Sequence, residues 1–239
     1  PEQAERYVNS PIQDNVHFTT QLYRHLRSFM PRKVTLIATG PLTNVALLLI
    51  NHPESVECIE EVVFMGGSVG IGNCSGSAAE FNMCADPDAA KYVMEHPGIP
   101  RLVMVPLEVT KTALVDAAVL DRLLSMANEA KSQLGRILRE ALLFYEHMHV
   151  AWGTPTVLHD PCAVAYVMNP GMFESKLLRV DVETGSPLLA GHTLVDIYGQ
   201  AKEKRKNVHV CLRMNVQQFW KMMFDAIEQA DRVSPANKI

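Results

Sequence analysis

The stretch VTLIATGPLTNVALLL, residues 34 to 49, joins two apolar runs of different character through Thr39, Gly40 and Pro41. The first, Val34 to Ala38, is short and stops at a Thr-Gly pair, the pattern of a buried strand. The second, Pro41 to Leu49, opens on a proline, which a helix tolerates at its first position, and reads as a helix. A strand running straight into a helix is the unit of an α/β layer fold. The same unit recurs outward along the chain. Val62 to Met65 and Leu102 to Val105 are two further short apolar runs bounded by Gly, Pro or polar residues, and Pro87 to Glu95 is a helical stretch before the second of them. Near-continuous apolar strands of this kind belong to parallel sheets covered on both faces. The expected architecture is α/β: a Rossmann-like, open, mostly parallel sheet flanked by helices. Such sheets bind ligands beyond the carboxyl ends of their strands. Chemistry is therefore expected after Ala38, after Met65 and at the later helix starts.

Further along, Leu120 to Trp152 is mainly helical, in two helices, and another helix begins at Pro161. Leu178 to Val182, Thr193 to Ile197 and Val208 to Leu212 read as strands. The last two are expected to pair as a C-terminal β-hairpin across the basic turn Lys202 to Lys206, with Val216 to Ala230 as a closing amphipathic helix. The 239 residues suit one large domain, residues 1–239, better than two. With 48% hydrophobic and 20% charged residues the chain is globular rather than disordered. A net charge of -4 gives no reason to expect a nucleic-acid partner, and the KEKRK cluster is interrupted by Glu203, which marks a solvated turn. Cys58, Cys74, Cys84, Cys162 and Cys211 show no CxxC spacing, so neither a disulfide framework nor a zinc site is implied, and a reducing, cytoplasmic setting fits. No apolar run approaches the ~20 residues of a membrane helix. The chain opens on Pro1 rather than Met, from which a preceding segment is expected.

Several motifs carry chemistry. FMGGSVGIGN, residues 64 to 73, follows a strand and is glycine-rich, yet its glycines at 66, 67, 70 and 72 do not make the GxGxxG of a dinucleotide fold. The loop instead suits a backbone that turns tightly or approaches a ligand. ADPDAA (85–90) and HDPCAVA (159–165) share an aspartate at a helix start followed by proline, so capping alone accounts for Asp86 and Asp160. His159, beside Asp160, is a possible proton donor. Glu80 and Asn82 flank Phe81; in an extended segment they share one side, where they either cap the next helix or converge with Asn73 on adjacent hydroxyls of a sugar.

Taken together, TLIATGPLTNVALLL (35–49), EVVFMGGSVGIGN (61–73), AEFNMCADPDAA (79–90), VPLEVT (105–110) and LHDPCAVAY (158–166) closely resemble the inosine–uridine nucleoside hydrolase family, in the family's order and over nearly the whole chain. The resemblance implies hydrolysis of the N-glycosidic bond of ribonucleosides, assisted by a calcium ion that binds the nucleophilic water and the ribose, in a homo-oligomer. It implies that Thr39 offers a backbone carbonyl and Asp160 a carboxylate to the metal. Asn73, Glu80 and Asn82 match ribose-binding positions, Met65 a residue lining the sugar pocket, and His159 a histidine that activates the leaving base. Base contacts are implied near FYEHMH (144–149), with Tyr145 or His147 stacking on or bonding to the nucleobase; the competing reading packs Tyr145 in the core and leaves the histidines in solvent.

The chemistry would proceed through an oxocarbenium-like transition state, which needs anionic or oxygen-rich groups around the sugar and a water at the anomeric carbon. One element of the family pattern is missing. Members open with a strand and a DxDxxxDD cluster holding two metal ligands and the general base, whereas residues 1–33 contain only Glu2, Glu5 and Asp14 as acids. This chain alone is therefore expected to be inactive, and a catalytically silent nucleoside-binding or structural member is the alternative.

Overall fold

The computed structural model describes residues 16–74, 78–129, 133–151 and 153–234. Glu2, Glu5 and Asp14 lie outside the described residues. In chain order the elements are α1 (Phe18–Ser28), β1 (Val34–Ala38), α2 (Thr43–Asn51), β2 (Ile59–Met65), α3 (Phe81–Ala85), α4 (Pro87–Glu95), β3 (Leu102–Val105), α5 (Leu107–Thr110), α6 (Ala117–Glu129), α7 (Gln133–Ala151), α8 (Asp160–Met168), β4 (Phe173–Leu178), β5 (Val180–Val182), β6 (Thr193–Val195), β7 (Val208–Met214) and α9 (Val216–Val233). Five strands form one sheet in the order β1-β2-β3-β7-β4. All neighbours in it run parallel except β4, which lies antiparallel to β7. The three apolar runs expected as strands are β1, β2 and β3.

Alternation along the strands divides the interior in two. Val62 and Phe64 of β2, with Met104 of β3 and Val208 and Val210 of β7, pack on one face against residues of α1, α2 and α4 such as Leu26, Leu48, Leu49 and Val93. Val63, Met65, Val103, Val105 and Cys211 point the other way, against Tyr166 of α8 and Phe219, Trp220 and Phe224 of α9. Because both faces are covered, these strands carry apolar residues at successive positions rather than at alternate ones.

The C-terminal hairpin does not form. Thr193 to Val195 pairs with Val180 to Val182 in a separate two-stranded sheet. Val208 to Met214 instead enters the main sheet between β3 and β4. Four of the seven β7 residues are buried, Val208, Val210, Cys211 and Met214, and only the sheet interior offers cover on both faces. Leu194 of β6 is half exposed, which suits a short peripheral ladder. The run expected from Leu178 to Val182 likewise divides between β4 and β5 at Arg179. No described helix is long and apolar enough to cross a membrane.

Candidate active site

Parallel strands deliver their following residues to one end of the sheet. Thr39 follows β1, Met65 ends β2, and β3 leads through Pro106 into the four-residue α5. At that end the glycine-rich loop after β2 is held by three side chains from distant segments. Glu80 Oε2 accepts from Gly67 N–H at 3.0 Å. Thr193 Oγ1 accepts from Ser68 N–H at 2.8 Å and donates to Ser68 O at 2.6 Å. Glu108 Oε1 accepts from the N–H groups of Val69, Gly70 and Ile71 at 2.8, 2.8 and 3.2 Å. Gly67 has φ +72°, and a Cβ there would lie 2.7 Å from Met104 Sδ, so this turn requires glycine.

The segment from Ala79 to Asn82 is not extended. Phe81 begins α3, Glu80 is its N-cap, and Phe81 points outward with 60% exposure while Glu80 and Asn82 are buried. The two still share the inner side, now through a helix start. Glu80 Oε2 also accepts from Asn82 N–H at 2.9 Å and Met83 N–H at 3.3 Å. The Asn82 amide donates to Met65 O at 3.0 Å and, at 3.5 Å, to Thr39 O, which ties the ends of β1 and β2 together. Asn73 Oδ1 accepts from Phe81 N–H at 2.8 Å, so this exposed asparagine anchors the same helix start.

Two oxygens remain free. Glu80 Oε1 and Asn82 Oδ1 accept no hydrogen bond among the described residues. Neither is among the buried side-chain atoms left without a partner, which are Ser55 Oγ and Glu108 Oε2 among the described residues. Both therefore face space that water or a ligand can enter, although their residues are only 2% and 6% exposed.

Asp86 and Asp160 part company despite their shared local sequence. Asp86 is the N-cap of α4, accepting from Ala89 N–H at 3.0 Å and from Thr43 Oγ1 at 2.5 Å. At the other site His159 is the capping residue and makes no side-chain cap bond, while Asp160 is the first residue of α8. The Asp160 carboxylate makes no hydrogen bond among the described residues, and loss of hydration raises its pKa above the ordinary aspartate value. Its charge reaches the neighbouring groups. Burial raises Glu80 first, three backbone donors oppose this, and Asp160 adds to the rise. Burial and then Asp160 also raise Tyr145.

His159 Nδ1 lies 2.7 Å from Thr110 Oγ1, whose hydroxyl donates to Leu107 O at 3.2 Å. With that proton engaged, Thr110 accepts from His159 Nδ1–H, and the neutral ring keeps its lone pair on Nε2. Burial first, then Lys111 and His149, lower the His159 pKa, so the neutral form prevails near pH 7. Tyr145 OH donates to Val157 O at 3.2 Å, and its ring meets that of His149 edge-on at 4.5 Å. His147 is exposed and lies two residues round the helix from Tyr145, on the other side. The structure thus gathers Thr39, Met65, Asn73, Glu80, Asn82, Tyr145, His159 and Asp160 at this end of the sheet and leaves His147 outside. Glu108, Thr110 and His149 belong with them and were not singled out from sequence. VPLEVT holds the first two, but nothing in that string tells that Glu108 reaches back to a loop nearly forty residues earlier.

An open α/β sheet here collects acids, amides and a neutral histidine beyond its strand ends, where sheets of this type hold ligands. The profile of the family described as inosine-uridine preferring nucleoside hydrolase matches residues 3–221. The chain is a member of that family. It is 43% identical over 202 residues to a probable ribonucleoside hydrolase of Dictyostelium discoideum, covering 82% of this chain and 58% of that protein. It is 33% identical over 216 residues to the inosine-uridine preferring nucleoside hydrolase of Leishmania major, covering 90% and 67%. A solved inosine-guanosine nucleoside hydrolase matches with a TM-score of 0.78 at 27% identity, over 90% of this chain and 69% of that one. The chain spans about three fifths of the length of the first curated relatives it matches.

Proposed function

We propose that this chain carries the ribose- and base-binding part of a ribonucleoside hydrolase, with the two open oxygens of Glu80 and Asn82 as the observation that carries the reading. Adjacent sugar hydroxyls are donors that need acceptors, and a buried wall offering two unused acceptors suits them. A carboxylate facing the sugar also favours the positive charge that develops on the ring as the base departs. Asn73 and Met65 frame the same space. Tyr145 and His149 wall the base side. His159, neutral at rest, must first take up a proton before it can give one to the leaving base, so its Nε2 acts as the relay while Thr110 fixes the ring.

Calcium is a separate matter. Asp160 and the Thr39 carbonyl are the donors available for it here, and calcium takes six to eight oxygens. Among the described residues no group of three or more His, Cys, Asp or Glu is placed to hold a metal ion. These two donors do not by themselves fit the ion.

Two measurements test the reading. Calorimetric titration with uridine and with 2′,3′-dideoxyuridine should show the ribonucleoside binding about tenfold or more tightly, the value of one good hydrogen bond to a charged acceptor, and Asn82→Ala, which leaves Glu80 in place, should narrow the difference. Equal binding of the two would remove the sugar role. A fusion carrying the aspartate-bearing first strand of a full-length relative should release free base from inosine or uridine, and Asp160→Ala should abolish it. A fusion that binds nucleoside but releases none would favour the silent, binding-only alternative.

A further inference from the structure

A second cavity, of about 680 Å³, lies at the opposite end of the sheet, outside the amino ends of β3 and β7. Its lining includes Arg101, Arg179, Arg205 and Lys206 against one carboxylate, Glu95. Not all four cations are free. Arg179 is engaged with Asp181 and Glu95, and Arg101 with Glu61 at 3.3 Å and the Tyr166 hydroxyl at 2.7 Å. The side chains of Arg205 and Lys206 make no hydrogen bond or ion pair among the described residues. Two imidazoles join them. His96 Nδ1 accepts from Gly98 N–H at 3.2 Å, which places the proton of the neutral ring on Nε2, and the His209 side chain makes no hydrogen bond among the described residues. Met94, Leu102 and Leu177 supply an apolar floor.

A cavity wall with two full charges in no ion pair among the described residues, of which Lys206 acts at longer range on Asp196, further N–H donors and a single acid attracts an anion of more than one charge. The volume is far larger than a bare oxyanion needs and falls in the range of small-molecule sites. We propose that this cavity binds a small phosphomonoester, with its phosphoryl group on Arg205, Lys206 and His209 and its organic part on the apolar floor. Three of the five residues of the KEKRK turn then have a purpose beyond solvation: Lys204 holds Asp181 at 3.0 Å, and Arg205 and Lys206 line the cavity. The field of these cations already acts on His209, whose pKa is lowered by burial and by Arg101. The site lies far from Glu80 and Asn82 along the strands, and it does not rest on the nucleoside reading.

Phenyl phosphate is a suitable probe because it carries neither ribose nor nucleobase. Added to the 239-residue chain at low salt, it should give saturable heat in calorimetry and shift the ring resonances of His209 in NMR, whereas phenol should do neither. Arg205→Ala/Lys206→Ala, both at exposed positions, should keep the melting temperature and lose about tenfold or more in affinity, as removal of charge-assisted bonds implies. Added salt should weaken binding in the parent chain. Absence of heat and of a His209 shift, or unchanged affinity in the double variant, overturns the proposal. Equal affinity for inorganic phosphate overturns the assignment to a phosphomonoester, because the floor would then contribute nothing.

Discussion

Removing the Glu80 side chain would strip the acceptor from three backbone N–H groups at once, those of Gly67, Asn82 and Met83. Orphaned buried donors are costly, so Glu80→Ala should lose about 2–4 kcal/mol of stability. Glu80→Gln keeps an acceptor oxygen for the same three groups and discards a carboxylate that burial disfavours. Denaturant unfolding should therefore find the glutamine variant within about 1 kcal/mol of the parent, while nucleoside affinity falls in both. Equal destabilisation by the two substitutions would mean that the charge, not the acceptor, holds the loop. The sequence leaves capping and ligand binding as alternatives for Glu80, and the structure does not force a choice. A carboxylate has two oxygens, and here one caps while the other stays open.

At the scale of elements, the helix starts of α4 and α8 make a matched pair. Asp86→Ala should cost about 1 kcal/mol as a lost cap, whereas Asp160→Ala should leave the melting temperature nearly unchanged, since Asp160 caps nothing. Parallel thermal melts read both. The short β5 carries a pH-dependent contact. Burial works to raise the Asp181 pKa, but the hydrogen bonds and charges of Arg179 and Lys204 outweigh it and leave the carboxyl below its ordinary value. A depressed folded-state pKa stabilises the protein above the ordinary aspartate range and is lost as pH falls through the folded value. Asp181→Asn should thus be less stable than the parent at pH 7 and level with it near pH ~2. A gap that persists in acid would point to packing instead. Strands β1 to β3 and most helices were legible because apolar runs with sharp polar boundaries report burial on both faces. The hairpin was misread because neighbours in sequence were taken as neighbours in space. Thr193–Val195 and Val208–Met214 each found a better partner elsewhere, and only burial on two faces, not turn chemistry, distinguishes them. His147 was placed by its position in FYEHMH, whereas helical periodicity turns Tyr145 and His149 to one side and His147 to the other.

For the molecule as a whole, the described part brings the Asp160 carboxylate near Glu80 but holds no group of three or more His, Cys, Asp or Glu placed to bind a metal. The purified 239-residue chain should accordingly show no measurable base release from inosine or uridine with calcium present, a general base alone being typically worth ~10²–10⁴ in rate. Base release at ordinary enzymatic rates, with the mass of the chain verified, would show that another acid serves, Asp14 being the first to test. Among the described residues β1 is an edge strand, with Ile37 partly exposed, so backbone groups along its outer side are open to pairing. The glycine-rich loop is a different case. A run with glycines at 66, 67, 70 and 72 ought to be among the most entropically expensive segments to order. Yet Glu80, Glu108 and Thr193, drawn from a span of more than a hundred residues, already hold its amides. Its disorder is thus spent when the chain folds, so any ligand that uses the loop meets a surface that is already ordered. Amide hydrogen exchange should show this in the ligand-free chain: Ser68 to Ile71 should exchange slowly for a surface loop and little slower once nucleoside is added, while in Glu108→Ala Val69 to Ile71 should exchange fast and Ser68, held by Thr193, should not.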